Sequence, residues 1–230
     1  MKVYYFAFLL IPFIGSSQKR ITPTGFIIKT NLTSPIDVFS FPTINLSIEK
    51  RITHNISLSG EFGYQFYKGI RIIDTSFVNP NGIKANLELR LYHLFRMPKR
   101  KNHTLTGPYL GINFFYRSNE NNVVLSYNHL NDTSGKTDCL WASKNIWGTN
   151  LLIGFQQNIG PKVFVDGYLG LGVMNRTAVD HNREYNINAD KLLYSIDFNI
   201  REPIDESYLS ENNGWRINFN FGIRMGIKLK

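Results

Sequence analysis

The chain has 230 residues, 26 Lys and Arg against 17 Asp and Glu, a formal charge of +9, 14% aromatic residues and one cysteine. So many aromatics beside so few charges exclude an intrinsically disordered chain. The single Cys139 excludes an intramolecular disulfide framework, and the length suits one domain.

The N-terminus reads as an export signal. Lys2 supplies a positive n-region, Val3–Ile14 an apolar core, and Gly15-Ser16-Ser17 the small residues that precede cleavage before Gln18. This apolar run is shorter than the ~20 residues a spanning helix needs. A signal peptide over 1–17 and a mature domain over 18–230 are expected, with no lipid anchor because no Cys follows the core. Without Lys2 the charge is +8. In an exported chain that excess points to a phosphate-rich surface such as lipopolysaccharide, and no nucleic acid partner is expected. The Lys99-Arg100-Lys101 run reads as a solvated turn.

From Phe26 onward the pattern is period-two alternation. It predicts strands over Phe26–Leu32, Ile44–Ile48, Asn55–Phe66, Ile83–Tyr92, Leu110–Tyr116, Trp147–Phe155, Val163–Met174 and Trp215–Leu229. The last is the longest, with Trp215, Ile217, Phe219, Phe221, Ile223 and Met225 on one face. Strands of globular domains usually stop at ~5–6 residues, whereas bilayer-crossing strands run ~9–11. Short turns are expected at Arg51–His54 and Asn158–Pro161, a moderate one at Arg96–Leu105, and long polar loops over 67–81, 118–142 and 177–213. Ser34–Ser40 is a short member of the long class. Short turns at one end and long loops at the other is the outer-membrane arrangement. The predicted fold is therefore all-β, an eight-stranded antiparallel up-and-down transmembrane β-barrel with long extracellular loops. Val123–Tyr127 and Leu192–Ile200 could raise the count to ten.

The charges supply a separate check. One face of the predicted strands carries Lys29, Glu49, Glu61, Glu88, Arg90, Asp166, Arg216 and Arg224, four acids and four bases. On a lipid face near the midplane, Arg or Lys would cost ~2–4 kcal/mol. These eight are expected to point inward as a charge-paired network. Eight strands enclose only enough space for side chains to fill, so no wide pore is expected.

The stretches Gly25–Leu32, Ile44–Lys50, Gly107–Ile112 and Phe164–Gly172 resemble those of small OmpA- and OmpX-like outer-membrane barrels. They are similar in particular to a family of uncharacterised exported barrels in which a Lys-Thr-Asn-Leu segment, here Lys29–Leu32, opens the first strand. The resemblance covers essentially the whole mature chain. It implies a bacterial outer-membrane location and no shared catalytic set. The chain departs from that class by ending Ile227-Lys228-Leu229-Lys230 where an aromatic residue is common.

Other constellations read as structural. Gly167, Gly170 and Gly172 lie inside a strand, without the helix start a phosphate loop needs. His103, His129 and His181 lack metal-ligand spacing, so neither metal nor cofactor is expected. Asp180, His181, Glu184 and Ser195 could be assembled into a hydrolase triad, which keeps a lipid-modifying hydrolase or acyltransferase as an alternative. A soluble periplasmic lipocalin-like barrel is the other. Trp147, Trp215, Tyr92, Tyr109, Tyr116 and Tyr168 are expected to form aromatic girdles. The favoured role is non-enzymatic: structural, or binding extracellular ligands or polysaccharide through the long loops.

Overall fold

The computed structural model describes residues 26–36, 41–53, 55–65, 77–92, 105–129, 135–182, 184, 186, 188–192 and 213–229. The expected signal peptide therefore lies outside the described residues. The described chain forms nine strands: β1 (Ile27–Asn31), β2 (Ile44–Arg51), β3 (Ile56–Gln65), β4 (Phe77–Tyr92), β5 (Gly107–His129), β6 (Lys136–Asn158), β7 (Val163–His181), β8 (Asp190–Leu192) and β9 (Gly214–Lys228). All pair antiparallel. Eight of them close a ring in the order β1–β2–β3–β4–β5–β6–β7–β9 and back to β1. The ring is all-β and up-and-down, as the alternation predicts.

Closure rests on the first and last strands, which pair from Ile27↔Lys228 to Asn31↔Arg224. The remaining strand, β8, stays out of the ring and pairs with Tyr127–His129 at the far end of β5. Val123–Tyr127 continues β5 rather than forming a strand of its own. The alternative of ten strands drew on these segments, of which 193–200 lies outside the described residues.

The wall is uneven. β1, β2 and β3 run 5, 8 and 10 residues, while β5, β6 and β7 run 23, 23 and 19. The expected loop over 118–142 is mostly strand, since the β5–β6 register is unbroken from Gly107↔Gln156 to Tyr127↔Lys136. Likewise β4 begins at Phe77 and β7 extends to His181, inside the expected loops 67–81 and 177–213. The alternation fades there because polar and apolar residues are mixed on both faces, with Tyr127, Leu140 and Ala142 buried beside Asp138 and Trp141 outward among Cys139 and Ser143, while the backbone ladder, which carries no sequence signature of its own, continues. One side of the ring thus rises as a tall wall above the other.

Inside and outside are sharply separated. Phe219, Ile217 and Leu151 are 74%, 73% and 70% exposed on the outer face. The inner face buries Lys29, Glu49, Glu88, Arg90, Asp166 and Arg224. A slip of one residue in any strand would exchange these two sets. Among the described residues one buried apolar cluster is formed by Ile27, Tyr92, Leu105, Tyr109, Leu152, Phe164 and Tyr168, and Phe115, Tyr127, Leu140, Ala142, Ile146 and Ala178 are buried further along the inner face.

The closing register is directly testable. Thr30 and Met225 are outward-facing Cα partners on β1 and β9. With Cys139 replaced by Ser, a T30C/M225C pair is expected to oxidise to an intramolecular disulfide, since cross-strand Cβ atoms sit ~4.5–5.5 Å apart. A T30C/F221C pair, four residues out of register on the same face, should not. Thiol titration before and after oxidation reads the result.

Candidate functional site

Each strand of the ring places an inward side chain at the same level of the lumen. Arg90 on β4 is fully buried and meets three carboxylates: its Nε donates to Glu88 at 2.7 Å, and its Nη1 faces Asp166 at 2.8 Å and Glu49 at 3.4 Å. Asp166 on β7 in turn meets three cations, Arg90, Lys29 at 3.3 Å and Arg224 at 3.5 Å. Lys29 also pairs with Glu49, and Arg224 with Glu88 at 3.1 Å and Glu61 at 3.2 Å. Seven of the eight charges singled out from the sequence are therefore one continuous ion-pair network.

The eighth is not part of it. Arg216 has the expected inward parity but stands eight residues from Arg224 along β9, towards the tall end of the wall. Parity fixes the face of a strand and not the level along it. Arg51, the next inward position beyond Glu49 on β2, is buried instead, and restores four charges of each sign on this part of the inner face.

Neutral groups complete the network. Tyr92 donates its hydroxyl to Glu49 and Tyr109 to Asp166, both at 2.8 Å, and Ser57 donates to Glu49. Gln156 accepts from Lys29 and from Arg90, the latter at 3.2 Å, and donates to the Leu105 carbonyl at 2.7 Å. Guanidinium groups also lie on aromatic faces, Arg90 at 4.5 Å from the Tyr109 centroid and Arg224 at 3.9 Å from that of Tyr168. Two glycines make the room: a Cβ on Gly154 would fall 2.3 Å from the Tyr109 ring, and one on Gly222 2.7 Å from the Tyr168 hydroxyl.

This overturns the girdle assignment of Tyr92, Tyr109 and Tyr168, which are 1%, 2% and 6% exposed inside the barrel. Their parity placed them inward; their phenols are satisfied by the carboxylates and amides there. Trp147, Trp215 and Tyr116 are outward as expected, the two indoles edge to face at 5.2 Å. Gln156 escaped notice because it lies one residue past the predicted end of its strand, although its parity matches that of Leu152 and Asn150.

The hydrolase constellation does not assemble among the described residues. His181 stacks on Trp141 at 4.7 Å, the Glu184 backbone N–H donates to Asp138, and Ser195 lies outside the described residues. His129 pairs with Asp190, joining β5 to β8. Of the three strand glycines, Gly167 has open space around a built Cβ, whereas Gly170 and Gly172 are crowded by Leu152 and by the Thr149 and Asn150 backbone. Cys139 is exposed.

Above the network the lumen changes character. Asn218 donates to Asn150 at 2.7 Å and Asn150 to Asn113 at 3.1 Å, forming a neutral amide layer. Beyond it, Lys84, Arg117, Lys144, Arg176 and Arg216 occupy inward positions of β4, β5, β6, β7 and β9. Lys84 and Arg117 are direct cross-strand partners, and Arg117 and Arg176 are the two partners of Ile146. Lys144 is the next inward position on β6, flanked by Asn119 and Ala178. Burial pushes its ammonium down to about 7, helped by the positive charges of Arg176, Arg117 and Arg216. No known family model and no curated protein sequence matches this chain.

Two outcomes are expected from these two levels. Arg90→Met strands Glu49, Glu88 and Asp166 with fewer cations, and should cost ~3–5 kcal/mol in urea unfolding of the detergent-folded protein. At the upper level, between pH 7 and 10.5 the unfolded chain holds the proton that folded Lys144 releases, so stability should rise with pH across that window. In K144M the rise should be smaller, and parallel profiles for the two proteins would refute the assignment.

Proposed function

We propose that the chain is an integral outer-membrane barrel of the OmpA/OmpX-like kind, exported by a cleaved segment over 1–17. Its lumen is closed by charge pairing, and its role is structural or surface-binding rather than enzymatic. The observation that carries this reading is the outward belt of exposed apolar side chains around a lumen that holds the charges. A water-soluble barrel of lipocalin type needs the opposite polarity, with apolar residues lining the inside.

The belt has the right height. On β9 it runs from Trp215 to Ile227, twelve steps along the strand. At ~3.3 Å per residue and a tilt of 35–45°, that spans about 30 Å along the barrel axis. The hydrocarbon core of a bilayer is ~30 Å thick. Tyr116 and Trp147 are cross-strand partners, and Trp147 and Trp215 are the two partners of Asn175 on β7, so all three aromatics mark one edge. An aromatic edge of this kind fits the headgroup level.

Orientation follows from the connections. Both described ends of the chain and the turns after β2 and β6 lie at the short-turn end, which in this reading faces the periplasm. The tall wall of β5, β6 and β7 then stands clear of the membrane at the cell surface. There it meets lipopolysaccharide and presents itself to extracellular ligands or polysaccharide.

Cell fractionation followed by gels of boiled and unboiled membrane extract tests the proposal. The expected result is recovery in the outer-membrane fraction with faster migration before boiling. Recovery in the soluble periplasm, with one mobility throughout, would refute it.

A further inference from the structure

We propose that the outer face of the tall wall carries a saccharide-binding platform, on which Trp141, backed by His181, receives the apolar face of an uncharged sugar residue while Asn122 and Ser143 bond its hydroxyls. This deepens the surface-binding reading above and takes from it the orientation of the wall.

The membrane belt does not account for Trp141. It precedes Trp147 by six residues on β6, which at ~3.3 Å per residue is about 20 Å along the strand. With a tilt of 35–45°, that places it about 15 Å beyond the aromatic edge, on the side away from the belt. It keeps the outward parity and is 39% exposed. An indole presented beyond the hydrocarbon has no acyl chain to pack against.

The register builds the stack in advance. His181, exposed at the end of β7, is the cross-strand partner of Trp141, and the two rings lie 4.7 Å apart at 27°. That spacing matches the ~4.7–4.9 Å between neighbouring strands, so the rings stand up from the sheet side by side. The imidazole therefore covers the indole face turned to β7. The opposite face is turned towards β5, where Asn122 is the other cross-strand partner of Trp141 and is exposed. Packing on His181 holds the indole in one orientation, which lowers the ordering cost of binding.

The surroundings suit a sugar better than a phosphate or a protein. Between the stack and the aromatic edge lie two cross-strand rows of β5, β6 and β7: Glu120, Ser143 and Val179, then Ser118, Asn145 and Thr177. Apart from His181, none of these outward positions is basic, so nothing in them selects phosphate. Tyr116 already donates to the Asn145 side chain at 3.0 Å, whereas Ser143 and Asn122 stand next to the indole. A pyranose has C–H groups on one face, which pack on the electron-rich face of an indole, and hydroxyls around its rim, which amides and hydroxyls bond. The apolar part, Trp141 with Val179, is confined to two strands, while a stable interface between proteins takes about 20–30 residues a side. Uncharged saccharide occurs both on lipids of the outer leaflet and in free polysaccharide.

Calorimetric titration of the detergent-folded full chain tests the platform with two probes. One is the oligosaccharide released by mild acid from the lipopolysaccharide of the source bacterium, the other its extracellular polysaccharide cut to oligomers. Each protein is first checked for heat-modifiable migration. Saturable binding of at least one probe is expected, weakened at least about tenfold in W141A and partly retained in W141F. It should be nearly unchanged between about 0.05 and 0.5 M sodium chloride, because no ion pair carries it. Binding of the first probe assigns a lipid-borne saccharide; binding of the second alone assigns a free polysaccharide. A heat-modifiable wild type that binds neither, equal binding by W141A, or binding abolished by salt overturns the platform while the barrel stands. A shift in oligomeric state in W141A without any change in saccharide binding also overturns it, and assigns the patch to a second copy of the chain. Binding through Trp141 by a wild type that is not heat-modifiable would leave the platform standing and count against the membrane reading.

Discussion

Burying a guanidinium completely is expensive unless carboxylates lie against it, and Arg90, whose Nε and Nη1 meet three of them while Nη2 has no hydrogen-bond partner, sets that condition for the whole ring. Its partners Glu88, Glu49, Asp166 and Gln156 come from β4, β2, β7 and β6. Through them the network takes in Lys29 of β1, Glu61 of β3, Tyr109 of β5 and Arg224 of β9. All eight ring strands contribute a member. At this level of the lumen the ring is held across its width by charge-assisted hydrogen bonds beside a small apolar cluster.

Such a lumen imposes two further features. A shift of any strand by one residue would move a carboxylate or guanidinium to the outer face and strand its partners, so the network discriminates sharply between registers. Large polar side chains also need space, and Gly154 and Gly222 provide it beneath Tyr109 and Tyr168, the two rings that carry the Arg90 and Arg224 guanidinium groups. With the charges inside, the outer face is left to apolar residues. The separation of polarity that supports a membrane location is thus the other side of the same constraint.

Much of this was legible in the sequence, and for a physical reason. Alternation with a period of two assigns faces, so all eight ring strands and the inward parity of every charge in the network could be read from it. Level along the barrel could not. It depends on stagger between strands, which is why Arg216 reads as a companion of Arg224 although it stands near Arg176 and Lys144. The upper halves of β5 and β6 were legible only at Val123–Tyr127, and there as a separate strand, because alternation needs one consistently apolar face and these segments mix polar groups into both. Tyr92, Tyr109 and Tyr168 misled as girdle residues, since an aromatic ring with a hydroxyl suits a membrane edge and a charged lumen equally well.

The central claim, charges inside and lipid outside, is tested most directly by tryptophan quenching. In W141F the remaining indoles are Trp147 and Trp215, both on the outer face. Reconstituted into vesicles with brominated acyl chains, this protein should lose most of its fluorescence, while aqueous iodide should quench it weakly. Strong quenching by iodide with none from the brominated lipid would contradict the account, because it would put the belt in water.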